Sequence, residues 1–127
     1  MMDDIGFYNI ASEQKYDDGE IIFEEGKSGD WVCVVLEGSV EVSKNVRGGK
    51  FVLGKLDRGE IFGELALLGA VRRTATVRAI GETTIGIIDR EFLDKELNKM
   101  SSGLRGIVVS TAQRFKKVID RIQGFSR

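Results

Sequence analysis

The stretch Phe62-Gly63-Glu64-Leu65-Ala66-Leu67-Leu68-Gly69-Ala70-Val71-Arg72-Arg73-Thr74-Ala75 decides how the rest of the chain is read. On both sides of it lie short strand-like runs separated by glycine, at residues 20–23, 31–36, 39–44, 51–56 and 60–62 before it and 75–79 and 84–88 after it. Brief strands at such regular spacing are the pattern of an antiparallel barrel or roll. Gly48-Gly49, between Val46 and Phe51, signals a hairpin turn within it. The only helical interruption falls at 64–68, inside the quoted stretch.

That interruption has a chemistry of its own. Free N–H groups at the start of a helical turn point at negative charge and attract it. Gly63 has no side chain to hold a ligand away from the main chain. Arg73, nine residues after Glu64, offers a rigid, permanently charged fork for phosphate oxygens, and Thr74 adds a hydroxyl donor. Glu64 is the odd member, since a carboxylate beside an anion site repels the ligand unless it accepts a hydrogen bond from it. A ribose hydroxyl is the natural donor. The segment asks for phosphate and sugar in one small molecule. The plainer alternative, a surface ion pair of Glu64 with Arg73, leaves Gly63 and Thr74-Ala75 without a reason.

Bulk properties bound the rest. The 127 residues suffice for one domain with a genuine core. Apolar content of 42% and charged content of 31% fit a globular protein. No apolar run approaches the ~20 residues that span a bilayer, and the acidic start Met1-Met2-Asp3-Asp4 lacks a signal-peptide layout. The single cysteine, Cys33, sits in an apolar strand pattern, permits no internal disulfide, and agrees with a reducing cytoplasm. The chain contains no histidine. The commonest metal ligand and the nucleophile–His pair are therefore excluded, which weighs against an enzyme, so no catalytic and no metal residues are expected.

Net charge is −1 but unevenly spread. Residues 1–30 hold nine acidic and two basic residues, while 105–127 hold six basic ones and only Asp120. A basic C-terminal helix can suggest nucleic acid, yet a solvated face beside an apolar seam explains it as well. With five residues after position 122 there is no recognition helix, and direct DNA binding is not expected.

After Asp89 the apolar period becomes helical. Asp89 is a good N-cap for a helix over 90–99, with Phe92, Leu93 and Leu97 on one face. A second helix is predicted from about 103 to 123, capped by Ser101 or Ser102 and stopped at Gly124. Its positions Leu104, Val108, Thr111, Phe115, Val118 and Ile122 are spaced as a heptad seam. Ile107, Val109, Ala112 and Ile119 widen the stripe, so one face can pack on the barrel while the seam meets a second subunit.

The quoted stretch closely resembles the phosphate-binding cassette of cyclic nucleotide-binding domains, as in protein kinase A regulatory subunits, the catabolite activator protein and cyclic nucleotide-gated channels. The resemblance extends upstream to Glu25-Gly26-Lys27-Ser28-Gly29-Asp30 and Val34-Val35-Leu36-Glu37-Gly38-Ser39-Val40-Glu41-Val42, and downstream to Ala79, covering about 15–122. It implies a mainly β fold with α: an eight-stranded antiparallel β-roll over 19–89, an N-terminal helical cap over 1–18, a short phosphate-binding helix and two C-terminal helices over 90–123, all in one domain of 1–127. It implies that Glu64 accepts the ribose 2′-hydroxyl and that Arg73 meets the exocyclic phosphate oxygens. The N–H groups of Leu65 and Ala66 would complete the cradle, with Gly63, Thr74 and Ala75 around it and Val118 and Ile119 as a candidate base lid. Arg72 stands where several relatives have proline, so Arg72 and Arg73 could exchange roles, although spacing favours Arg73. Cys33 stands where relatives often have tyrosine.

The implied function is a sensor that binds cAMP or cGMP, closes its long helix over the base and signals to an effector protein, with a homodimer through 104–122. Thr74 accompanies cGMP in parts of the family without excluding adenine, so the base stays open. The alternative is a degenerate β-roll module for interaction or dimerisation that no longer binds nucleotide.

Overall fold

Two long strands, β3 (Cys33–Val46) and β6 (Thr76–Ile88), run antiparallel down the middle of the molecule and every other strand is hung on them. The computed structural model describes residues 4–69 and 72–124. The remaining strands are β1 (Ile10–Tyr16), β2 (Ile21–Phe23), β4 (Gly49–Asp57) and β5 (Ile61–Phe62). Their order is β1-β6-β3-β4, with β2 against β6 and β5 against β3, every pairing antiparallel.

Among the described residues the count is six strands, not eight. Glycines that read as breaks in the sequence are bends in continuous strands. Gly38 has φ +87, and a Cβ there would lie 2.6 Å from the Glu82 carbonyl oxygen and 2.8 Å from Thr83 Oγ1. Only glycine tolerates both the backbone and the contact. The β3–β6 register slips on each side of Glu37, and Gly81 bends β6 opposite with φ +69. The buried Thr83 hydroxyl lies 3.1 Å from the carbonyls of Ser39 and Gly81 and stitches the two bends together.

The N-terminal prediction also needs correction. The 3₁₀ turn Asp4–Tyr8 is followed at Ile10 by a full sheet strand, so the roll does not begin at residue 19. β1 is an edge strand with only its ends half-buried; its polar middle is held by backbone pairing to β6, from Ile10↔Ile88 to Tyr16↔Thr83. The β3–β4 hairpin turns on Arg47-Gly48, one residue earlier than predicted. Their φ values are +55 and +79, the positive pair a type I′ turn needs, and Gly49 pairs with Val46.

Alternation along β3 builds two apolar clusters. Cys33, Val35 and Val40 face the inside of the roll with Phe23, Phe62, Val77 and Ile85. Val34, with Val32 and Ile88, faces outward beneath Tyr8, Ile10, Leu67, Phe92 and Leu93. Leu67 belongs to the short 3₁₀ helix Glu64–Leu68, and Phe92 and Leu93 to α1 (Arg90–Lys99). Asp89 caps α1 by accepting from the Phe92 N–H at 3.3 Å. Arg90 Nη1 donates to the Asp30 carbonyl at 2.7 Å, fixing the start of α1 to the loop before β3. Ser101 Oγ accepts from the Leu104 N–H and caps α2 (Ser102–Gly124), while Arg105 Nη2 donates to the Leu97 carbonyl across the junction. No helix among the described residues is long and apolar enough to cross a membrane.

Candidate functional site

β4, β5, the 3₁₀ helix, the start of β6 and the middle of α2 enclose a cavity of about 350 Å³, within the ~300–1,000 Å³ span of small-molecule sites. Gly63, Glu64, Leu65, Ala66, Arg73, Thr74 and Ala75 all line it. The apolar walls are supplied by Phe23, Leu53, Leu56, Phe62 and Val77 of the roll and by Phe115 and Ile119 of α2.

Gly63 and Gly69 bracket the 3₁₀ helix, both left-handed at φ +83 and +85. The need for glycine at 63 comes from the protein itself, not from a ligand. A Cβ there would sit 2.7 Å from Phe23 Cε2 and 2.9 Å from the Trp31 carbonyl oxygen. Glu64 is exposed at the mouth, while Leu65 and Ala66 are buried. The Ala66 N–H already donates to the Gly63 carbonyl at 3.1 Å, so an anion at the helix start would share that donor.

Arg73 is the centre of the site. Its backbone is clamped by Arg73 N–H to Lys27 carbonyl at 2.8 Å and Gly26 N–H to Arg73 carbonyl at 2.9 Å. The guanidinium lies 3.5 Å from the centroid of Phe23 and 4.9 Å from that of Trp31, and Nη2 donates to the Trp31 carbonyl at 2.9 Å. Gly29 leaves it room, since a Cβ at 29 would meet Nε and Nη2 at 2.8 Å. The residue is only 7% exposed, and among the described residues no carboxylate forms an ion pair with it. Burial pulls its pKa down, with Cys33 and Asp30 acting the other way. A buried guanidinium with one carbonyl acceptor and two aromatic faces is a cation short of an anion.

Arg72 behaves differently. It is exposed, and its Nη1 donates to the Gly26 carbonyl at 2.9 Å, so it is turned along the neighbouring loop although it also lines the cavity. Ala70 and Val71, in the loop before Arg72, lie outside the described residues. Of the two candidate lid residues, Ile119 is buried against the cavity and Val118 is 51% exposed and absent from its wall. Phe115, read in the sequence as part of the seam, takes the second place. The helix turns its face by one residue, because Val109, Ala112, Ile119 and Ile122 are the positions that pack inward.

Two further groups went unread in the sequence, and a third, Cys33, was read as a buried strand residue. Phe23 supplies the surface on which Arg73 rests. Lys44, 2% exposed, donates from Nζ to the Thr74 carbonyl and pairs with Glu25 Oε2 at 3.3 Å. Its signal was the two-residue alternation of Val40 and Val42, which carries on to place Lys44 on the inner face. Cys33 lies in the core next to these groups, its thiol pushed up to about 12 by burial. Among the described residues no group of three potential ligands could hold a metal ion.

Residues 13–100 match the family model of the cyclic nucleotide-binding domain. The chain is 46% identical over 70 residues to the cAMP-dependent protein kinase regulatory subunit of Mycosarcoma maydis, covering 55% of this chain and 13% of that protein. It is 35% identical over 117 residues to the cGMP-dependent protein kinase of Toxoplasma gondii, covering 91% of this chain and 11% of that protein. The solved cAMP-bound PfPKA-R (141-441) superposes with a TM-score of 0.66 at 29% identity, over 87% of this chain and 36% of that one. The fold is that of a cyclic nucleotide-binding domain. This chain belongs to the cyclic nucleotide-binding domain family. It spans only 13% and 11% of the two kinase-related proteins, so their whole-protein activities do not transfer with the match.

Proposed function

We propose that residues 10–122 form one sensor domain whose cavity takes a purine 3′,5′-cyclic monophosphate, cAMP or cGMP. Arg73 meets the exocyclic phosphate oxygens, and the N–H groups of Leu65 and Ala66 complete the cradle at the start of the 3₁₀ helix. Glu64, exposed at the mouth, accepts the ribose 2′-hydroxyl. Thr74 lies beside the base, and Phe115 and Ile119 of α2 cover it. The single observation that carries this is the buried guanidinium of Arg73 on the cavity wall, without an ion-pair partner among the described residues. Titration calorimetry with cAMP, cGMP and cyclic dinucleotides side by side tests it. Heat from one cyclic mononucleotide supports the sensor; silence from all of them supports a degenerate interaction module.

The domain is regulatory and not an enzyme on this reading, and acts in the cytoplasm on an effector protein without touching DNA or membrane itself. Ligand binds best to the arrangement with α2 closed on the base, and so shifts the population towards it. The outward face of α2 is a homodimer surface over 104–122. Leu104, Ile107, Val108 and Val118 are 50%, 65%, 39% and 51% exposed, apolar positions left in solvent on one helix. Light scattering should show a dimer in exchange with monomer. Glutamates at Leu104 and Val108, clear of the cavity, should give monomers of unchanged circular dichroism; a wild-type monomer at high concentration ends the dimer reading.

A further inference from the structure

The turn that carries Arg73 and Thr74 is anchored from beneath by charges that no ligand reaches. Lys44 reaches from inside β3 to the Thr74 carbonyl. Its ammonium is held there by Glu25 Oε2 at 3.3 Å, with side-chain exposures of 1% and 18%. Glu25 is itself fixed at two further points. Its Oε1 accepts from the Asn45 N–H at 2.9 Å, and its own N–H donates to Thr76 Oγ1 at 3.0 Å. The pair thus ties β3 to both ends of residues 74–76. Desolvating a lysine and a glutamate is costly, and an apolar pair of similar volume would serve the core at least as well. What such a pair can add is a particular geometry, and the geometry within its reach is the peptide that follows Arg73.

We infer that Glu25 and Lys44 are positioning residues that hold the Arg73–Thr74 segment in its binding arrangement, with Lys44 acting through the Thr74 carbonyl and never touching the nucleotide. The inference rests on the proposed nucleotide site for its effect on affinity, but the anchoring itself exists without ligand. Two measurements on the full chain separate the two claims. In ligand-free protein, Lys44→Met should raise hydrogen exchange over residues 72–77 about tenfold or more, with residues 10–16 of β1 unchanged as the internal control. In calorimetry with cAMP and cGMP, Lys44→Met should weaken binding about tenfold, an effect of the size that charge-assisted hydrogen bonds produce. The same substitution should cost almost nothing in an Arg73→Lys background, because the group it positions is gone.

Exchange at 72–77 that does not respond overturns the anchor whether or not nucleotide binds. Faster exchange with full affinity overturns the positioning role and leaves a merely structural pair. Additive losses in the double variant overturn the route through Arg73. If the wild type binds neither nucleotide, the site reading fails by itself, and the exchange result alone upholds or overturns the anchor. Should Lys44→Met not fold, Glu25→Gln decides by the same comparisons, since it keeps the acceptor for Asn45 and removes the charge.

Discussion

The cavity has two kinds of wall. On the roll side the main groups are held in place: Arg73 by two backbone bonds, two aromatic rings and a carbonyl; Gly63 by its backbone angle and by Phe23; the Thr74 carbonyl by Lys44. On the helix side, among the described residues, only Phe115 and Ile119 touch the cavity, and Phe115 remains 49% exposed. The difference separates recognition from response. A preformed wall keeps the ordering cost of binding low, whereas a lightly held helix has somewhere to go when a base arrives. Rigidity sits where the charge is, and the lighter packing on the helix from which the proposed output would start.

Changing the rigid wall should have the largest effect. Gly63→Ala puts a methyl into the Phe23 ring and forces alanine into the left-handed region, for a loss of roughly 2–4 kcal/mol in chemical denaturation. A stability change below about 0.5 kcal/mol would mean that the wall yields, and the contrast with the helix would collapse. Next comes Arg73→Ala. A lost charge-assisted phosphate contact costs roughly 1.5–3 kcal/mol, a 10- to 150-fold drop in affinity by calorimetry. Arg72→Ala should change affinity far less, since its side chain already lies along the Gly26 loop; equal losses would show that the phosphate arginine is misassigned.

The helix wall gives smaller numbers. Ile119→Ala should weaken nucleotide binding by about 1 kcal/mol, roughly fivefold, through lost apolar contact. Val118→Ala should stay within about 0.5 kcal/mol, so a reversal of that order would turn the helix by a residue. The last effect is invisible at neutral pH. The Cys33 thiol is raised from 9.0 to about 12 in the folded chain. Above pH 9 the unfolded chain releases this proton while the folded one keeps it, so stability falls as pH rises, by up to about 1.4 kcal/mol per pH unit until pH 12. Comparison with Cys33→Ala across pH 8–10 isolates the term; identical slopes would mean the thiol is not sealed.

Most of the roll-side wall was legible because its chemistry is local. Gly63, Glu64, Arg73 and Thr74 stand within twelve residues of sequence, and each type has a narrow range of uses. The helices announced themselves through Asp89, Ser101 and a change of period. What escaped was long-range or edge-bound. β1 has too few apolar residues to show a pattern, and its reason for being a strand is the backbone of β6. The bends at Gly38 and Gly81 look like chain breaks in one dimension and are kinks in three. Lys44 and Glu25 lie nineteen residues apart and meet only because β3 passes beneath the turn. On α2, several stripes were offered at once by Leu104 to Ile122, and periodicity could not choose which faces the cavity.

Arg90 gives the loop before β3 a mechanical meaning. Trp31 lends its carbonyl to Arg73, and the adjacent carbonyl, that of Asp30, is gripped by the first residue of α1. The loop therefore joins Arg73 to the start of α1 through two successive carbonyls, so the two elements are tied across adjacent residues with no long chain of side chains in between.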